Sequence, residues 1–152
     1  MKPNPIPQNY NTITAYLTVH DCAAAIKYYV ELFAAKEGIR FDMPGGKIGH
    51  VELHLGDSKI MLSDEYPEMG VKSPKNFGGS PISLSIYVED VDATFQKAIQ
   101  TGSTSIKEVE NQFHGDRSGQ IEDPFGYKWT IASRVEEVSQ EEMQKRAKEL
   151  FG

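Results

Sequence analysis

His114-Gly115-Asp116-Arg117-Ser118-Gly119-Gln120-Ile121-Glu122-Asp123-Pro124-Phe125-Gly126-Tyr127-Lys128-Trp129-Thr130-Ile131-Ala132 reads as strand, tight turn, strand. Asp123-Pro124-Phe125-Gly126 is the turn, because proline presets one backbone angle and glycine tolerates the left-handed one. Beyond it Trp129 and Ile131 alternate with Lys128, Thr130 and Ala132, the period of a half-buried strand. The same signature occurs earlier. Gly56-Asp57-Ser58 is a turn, and Ile60 and Leu62 then alternate with Lys59, Met61 and Ser63. Lys59-Ile60 falls on Lys128-Trp129, 69 residues further on. The same offset carries Val19-His20-Asp21-Cys22-Ala23-Ala24 onto Val88-Glu89-Asp90-Val91-Asp92-Ala93, and Pro44-Gly45-Gly46 onto Phe113-His114-Gly115. The third strand of each half needs an offset of 68, which places Leu53 on Ile121. A self-match at fixed distance sets the architecture, and two copies are too few for a solenoid. A duplicated module whose halves pair around a shared core is the simplest reading.

The bulk properties narrow the function. At 152 residues the chain has the size of one domain, large enough to bury a core without staples. The net charge is −6 and no basic stripe is present, so nucleic acid is not an expected partner. No apolar run approaches the ~18 residues of a membrane span, and Met1-Lys2-Pro3-Asn4-Pro5 lacks the apolar segment of a signal peptide. The single cysteine, Cys22, has no internal disulfide partner, so a cytoplasmic protein is expected. Cys22 follows the expected cap Asp21 and reads as a buried, inert thiol.

The first module is expected over about 12–63, with strands at 12–19, 36–43, 47–55 and 58–63 and a helix at 22–35. Ile13, Ala15, Leu17 and Val19 share one face of the first strand. Asp21 caps the helix, whose apolar stripe is Ala25, Tyr28, Tyr29, Leu32 and Phe33. Residues 64–80, with Pro67, Gly70, Pro74, Gly78 and Gly79, form a crossover loop. The second module, about 81–134, repeats the order. Its first strand sets Ile82, Leu84, Ile86 and Val88 against Ser83, Ser85 and Tyr87. Its helix carries Val91, Phe95, Ala98 and Ile99 on one face. A last helix covers about 140–151, opened by the capping box Ser139 and Glu142, with Met143, Ala147, Leu150 and Phe151 on its apolar side.

Two β-α-β-β-β modules in tandem resemble the vicinal oxygen chelate superfamily, which includes glyoxalase I, extradiol dioxygenases and bleomycin-resistance proteins. Asp123-Pro-Phe-Gly-Tyr-Lys-Trp looks like that family's final turn and strand. His114-Gly-Asp-Arg, Leu62-Ser-Asp-Glu-Tyr-Pro-Glu-Met-Gly and Tyr87-Val-Glu-Asp-Val-Asp-Ala are similar to its PhnB-like glyoxalase/bleomycin-resistance subgroup. The resemblance covers about 12–138 and implies an α+β fold in which curved mixed sheets enclose a cleft. It also implies a homodimer, since family members often exchange modules or pair edge to edge.

Enzymes of the family hold a divalent metal on the first and fourth strands of each module. Carried over, those positions are Thr14, Met61, Ser83 and Thr130. Hydroxyls and a thioether are poor partners for a hard or borderline dication, so no metal and no cofactor are expected. His50, Glu52 and His54 offer a rival donor set of the right chemistry for zinc. Their Cα atoms follow one line at roughly 6–7 Å spacing, which suits three ligands on one ion poorly.

By alternation the concave face carries Thr14, Tyr16, His50, Glu52, Met61, Ser83, Ser85, Gln120 and Thr130, a mixture suited to a small organic ligand. Arg117 beside Asp116 is a candidate anion clamp or a structural ion pair, and Trp129 points to the helix side. The expectation is a metal-free protein that sequesters an aromatic or heterocyclic molecule. The alternative is a metal-dependent lyase, isomerase or dioxygenase with non-standard ligands such as His50 and Glu52.

Overall fold

The computed structural model describes residues 1–152. The order is β1 (Ala15–Val19), α1 (Cys22–Phe33), β2 (Lys36–Asp42), β3 (Ile48–Leu55), β4 (Ser58–Asp64), β5 (Ser83–Tyr87), α2 (Val91–Gln100), β6 (Thr104–Asn111), β7 (Asp116–Glu122), β8 (Lys128–Arg134) and α3 (Gln140–Phe151). The fold is α+β, with two four-stranded mixed sheets ordered β1-β4-β3-β2 and β5-β8-β7-β6. The chain divides into two compact units, Met1–Asn76 and Phe77–Gly152. No helix is long and apolar enough to cross a membrane.

In the first unit β1 runs parallel to β4, and β3 is antiparallel to both β4 and β2. Leu17, Val19, Val51, Leu53, Ile60 and Leu62 are buried under α1, which contributes Cys22, Ala25, Ile26, Tyr28, Tyr29 and Leu32. Asp21 caps α1 as expected, its carboxylate accepting from Ala24 N at 3.0 Å. Asp64 accepts from Cys22 N at 2.9 Å and Ile48 N at 2.7 Å, tying the helix start to β3. The Cys22 thiol is fully buried, and that burial, with Asp64 nearby, pushes its pKa up to about 12. This is the inert thiol the sequence implied.

The first strand is shorter than the sequence reading. β1 begins at Ala15, and Ile13, assigned to the core face, is 86% exposed. Ala15 pairs with Ile60, so a strand extended to Ile13 would already reach Ser58, where β4 begins. The alternation of β3 also breaks once. Phe41 pairs with His50 but Asp42 with Ile48, leaving Gly49 as a bulge that returns Ile48 to the core. A Cβ at Gly49 would lie 2.7 Å from the Met43 side chain and 2.8 Å from the Phe41 ring.

The second unit repeats the plan. β5 runs parallel to β8, and β7 is antiparallel to β8 and β6. Asp90, the repeat partner of Asp21, caps α2 by accepting from Ala93 N at 3.0 Å. Val91, Phe95 and Ala98 of α2 are buried, as are Ile121, Trp129 and Ile131. Ile99, placed on the buried stripe by its spacing, lies at the helix margin and is 36% exposed. Ile82 is also exposed, because Ser83 pairs with Lys128, the first residue of β8, and the ladder goes no further.

The quoted turn is held by one side chain. Asp123 is buried and accepts from Phe125 N at 2.9 Å, Tyr127 N at 3.0 Å and Trp129 Nε1 at 2.9 Å. Ser139 caps α3 through Glu142 N at 3.2 Å. None of α3 is buried, and Leu150 and Phe151 stay exposed. It is tethered by Arg146, which bonds Glu136, Glu142 and the Phe113 carbonyl, and by a Phe113–Phe151 ring contact at 5.9 Å.

Candidate functional site

Register fixes which side chains share the sheet faces opposite the helices. In the second unit Gln120 and Ser85 both pair with Thr130, forming one row across β7, β8 and β5. The next row is Ser118, Ala132 and Tyr87, and the third is Asp116 opposite Arg134. Gly119 and Ile121 face the other way, under α2. A Cβ at Gly119 would meet the Phe95 ring at 2.8 Å, and Ile121 is fully buried.

Ser85, Tyr87, Gln120, Thr130, Asp116 and His114 line a depression of about 360 Å³ over these rows. At one end Gln120 Nε2 lies 3.4 Å from Thr130 Oγ1. At the other end Asp116, 5% exposed, accepts from Tyr87 OH at 2.7 Å and Arg134 Nε at 2.6 Å, with His114 Nδ1 at 3.7 Å. Burial alone would push the Asp116 carboxyl up. The bonds from Tyr87 and Arg134, with the charge of Arg134 and the neighbouring His114, outweigh burial and hold it below the usual carboxylate range.

Arg117 does not join them. It grips Asp92 of α2 with Nε at 2.9 Å and Nη2 at 2.8 Å and reaches Asn111 at 3.1 Å. That bidentate bond holds Asp92 below, and Arg117 above, their ordinary pKa ranges. Its neighbour Asp116, the partner expected from sequence, faces the depression instead. Ser83 starts β5 and is exposed, outside the depression's lining.

The first unit presents an equivalent face with different chemistry. Tyr16 and Glu52 both pair with Met61, the counterparts of Ser85, Gln120 and Thr130. Tyr16 OH lies 2.8 Å from His50 Nδ1, and the His50 ring stacks on Phe41 at 5.5 Å. Glu52 is buried, bonded by Tyr10 OH at 2.5 Å, with Lys59 Nζ at 3.9 Å. Lys59 also sits over the Tyr10 ring at 3.7 Å, so residue 10 folds across this face. The bond to Glu52 raises the Tyr10 pKa. Thr14 is half-buried just before β1.

The donors suit no ordinary metal site. Thr14, Met61, Ser83 and Thr130 offer hydroxyls and a thioether, and no three His, Cys, Asp or Glu side chains gather where they could hold an ion. His50, Glu52 and His54 turn to separate neighbours. His50 goes to Tyr16 and Phe41, and Glu52 to Tyr10 and Lys59, while the His54 ring packs over Gly38 of β2.

Sequence reading missed Tyr87, His114, Asp116 and Ser118. Alternation backward from Gln120 reaches Ser118 and Asp116, and alternation onward from Ser85 reaches Tyr87. Those signals were present in the letters.

A family model described as the Glyoxalase/Bleomycin resistance protein/Dioxygenase superfamily matches residues 10–131. An uncharacterized protein of Mycobacterium bovis is 41% identical over 135 residues, which cover 87% of this chain and 89% of that one. Among solved structures, TioX from Micromonospora sp. ML1 is similar with a TM-score of 0.62 at 19% identity, covering 85% of this chain and 100% of that one. A PhnB protein from Bacillus cereus gives a TM-score of 0.64 at 18% identity, covering 81% of this chain and 99% of that one. At these identities the solved structures share the fold.

Proposed function

The chain belongs to the glyoxalase/bleomycin resistance protein/dioxygenase superfamily, and from that premise we propose that it binds an aromatic or heterocyclic small molecule without a metal, as a cytoplasmic homodimer. One observation carries the reading. The depression of the second unit has about 360 Å³ and is lined by Ser85, Tyr87, Gln120 and Thr130 around a buried, ionised Asp116. That volume falls within the ~300–1,000 Å³ range of small-molecule sites, where a few placed polar groups fix orientation. The donor chemistry at Thr14, Met61, Ser83 and Thr130 supports binding over metal-assisted catalysis, because no carboxylate or imidazole stands at those positions to hold a Lewis acid.

The test is a melting screen of protein dialysed against a chelator, with aromatic and heterocyclic compounds. A ligand at a hundredfold excess over Kd adds about 2.7 kcal/mol, so a true binder raises the midpoint by several degrees. Hits in the chelated protein are expected. Hits that appear only after a divalent metal is restored would overturn the metal-free reading. Solution mass tests the dimer.

A further inference from the structure

We propose that the depression of the second unit is a slot for a flat, elongated phenol or enol, whose acidic hydroxyl is bound and deprotonated by His114. The inference rests on the ligand-binding reading above and goes further by naming the ligand's chemistry. The three rows of the sheet face differ in kind. Gln120, Thr130 and Ser85, with Lys107 of β6 opposite Gln120, form an end rich in donors. Ser118 and Ala132 form a floor of small side chains over which a planar ring can lie close to the backbone. Asp116, Arg134, Tyr87 and His114 form the charged end. Two steps of two residues along β7 separate Asp116 from Gln120, roughly 13 Å at strand spacing. A molecule spanning them is long and narrow, with a polar group at each tip.

The charged end specifies the tip it accepts. Asp116 already receives Tyr87 and Arg134, which leaves the His114 imidazole as the side chain of this end that offers a ring nitrogen to a ligand. Its Nδ1 lies 3.7 Å from Asp116 Oδ2, so the carboxylate favours the tautomer protonated on Nδ1. Nε2 is then the lone-pair nitrogen offered to a ligand. A phenolic or enolic O–H donates to it, and the proton passes from that oxygen to Nε2. The products are a phenolate and an imidazolium whose charge Asp116 balances. The other ionisable groups on the lining sit on β6, Lys107 opposite Gln120 at the donor end and Glu110 opposite Ser118 on the middle row. At the far tip the amide of Gln120 and the hydroxyls of Thr130 and Ser85 donate to a carbonyl or nitro oxygen.

The probe is 4-hydroxy-4′-nitroazobenzene, a planar two-ring phenol whose visible band moves when it ionises, with its methyl ether as the control lacking an acidic proton. Below the free dye's pKa, binding to the wild-type protein is expected to raise the phenolate band, and the ether is expected to bind about tenfold more weakly or worse, the loss of one hydrogen bond to a charged group. His114→Gln keeps a polar side chain but no base. It is expected to bind the dye as the neutral phenol, with dye and ether of similar affinity. An equal phenolate fraction in both proteins, or an ether that binds wild type as tightly as the phenol, overturns the assignment to His114. Hits in the melting screen without any dye binding overturn this inference alone. Failure of both dyes together with an empty screen overturns the ligand-binding reading beneath it.

Discussion

Removing the Asp123 carboxylate tests how the duplicated hairpin is held. This side chain is 4% exposed and accepts three hydrogen bonds, from Phe125 N, Tyr127 N and Trp129 Nε1, all at 2.9–3.0 Å. A hydrogen bond to a charged group is worth about 1.5–3 kcal/mol, and a buried donor left without an acceptor loses its desolvation as well. The three bonds share one acceptor group and are not additive, so Asp123→Ala is expected to cost about 3–5 kcal/mol. That is a large part of the ~5–15 kcal/mol of an ordinary domain. Asp123→Asn retains an acceptor for the two turn amides but turns an NH2 toward the indole N–H, and should lose about half as much. Trp129 is the sole tryptophan, so its fluorescence during urea unfolding reports this hairpin directly. If both variants unfold within about 1 kcal/mol of wild type, the turn is not held by this carboxylate and the argument fails.

Gly119→Ala places a methyl 2.8 Å from the Phe95 ring and 2.9 Å from Val109, so overpacking of about 1–3 kcal/mol is expected in the same urea assay. Asp116 has a folded pKa held below its unfolded value near ~3.9, so its stabilisation is present above about pH 4 and is lost as pH falls through the folded pKa. Asp116→Asn should lower stability at neutral pH by about 1–3 kcal/mol and flatten the acid limb of midpoint against pH; an unchanged acid limb would contradict the assignment. Arg146→Ala should release α3, seen as faster proteolysis after residue 136, while global stability changes by less than about 1 kcal/mol because its partners are half exposed.

The architecture was legible because the hydrophobic alternation and the turn residues recur at one offset. The observed register agrees: Met61 lies beside Tyr16 and Glu52 where Thr130 lies beside Ser85 and Gln120. Caps were legible for the same local reason, since Asp21 and Ser139 need only their own backbone. What failed was set by partners. Strand β1 starts at Ala15, close to where its parallel neighbour β4 begins, which no property of Ile13 announces. The bulge at Gly49 reverses a face in mid-strand. Arg117 was read with its sequence neighbour Asp116, yet adjacent strand residues face opposite ways and its partner Asp92 lies 25 residues away. At the charged end, Tyr87 and Asp116 meet across 29 residues of sequence, a contact that only the strand order β5-β8-β7 creates.

The most direct test of the ligand-binding account is calorimetric titration of a screen hit into metal-stripped protein, wild type beside Ser85→Trp. Ser85 lies on the exposed edge strand β5 and lines the depression, so an indole there should fill the slot and leave the fold intact. The account predicts one saturable site per chain in the stripped wild type and at least a tenfold loss in the variant. Binding that requires added dication, or that persists undiminished in Ser85→Trp, would contradict it.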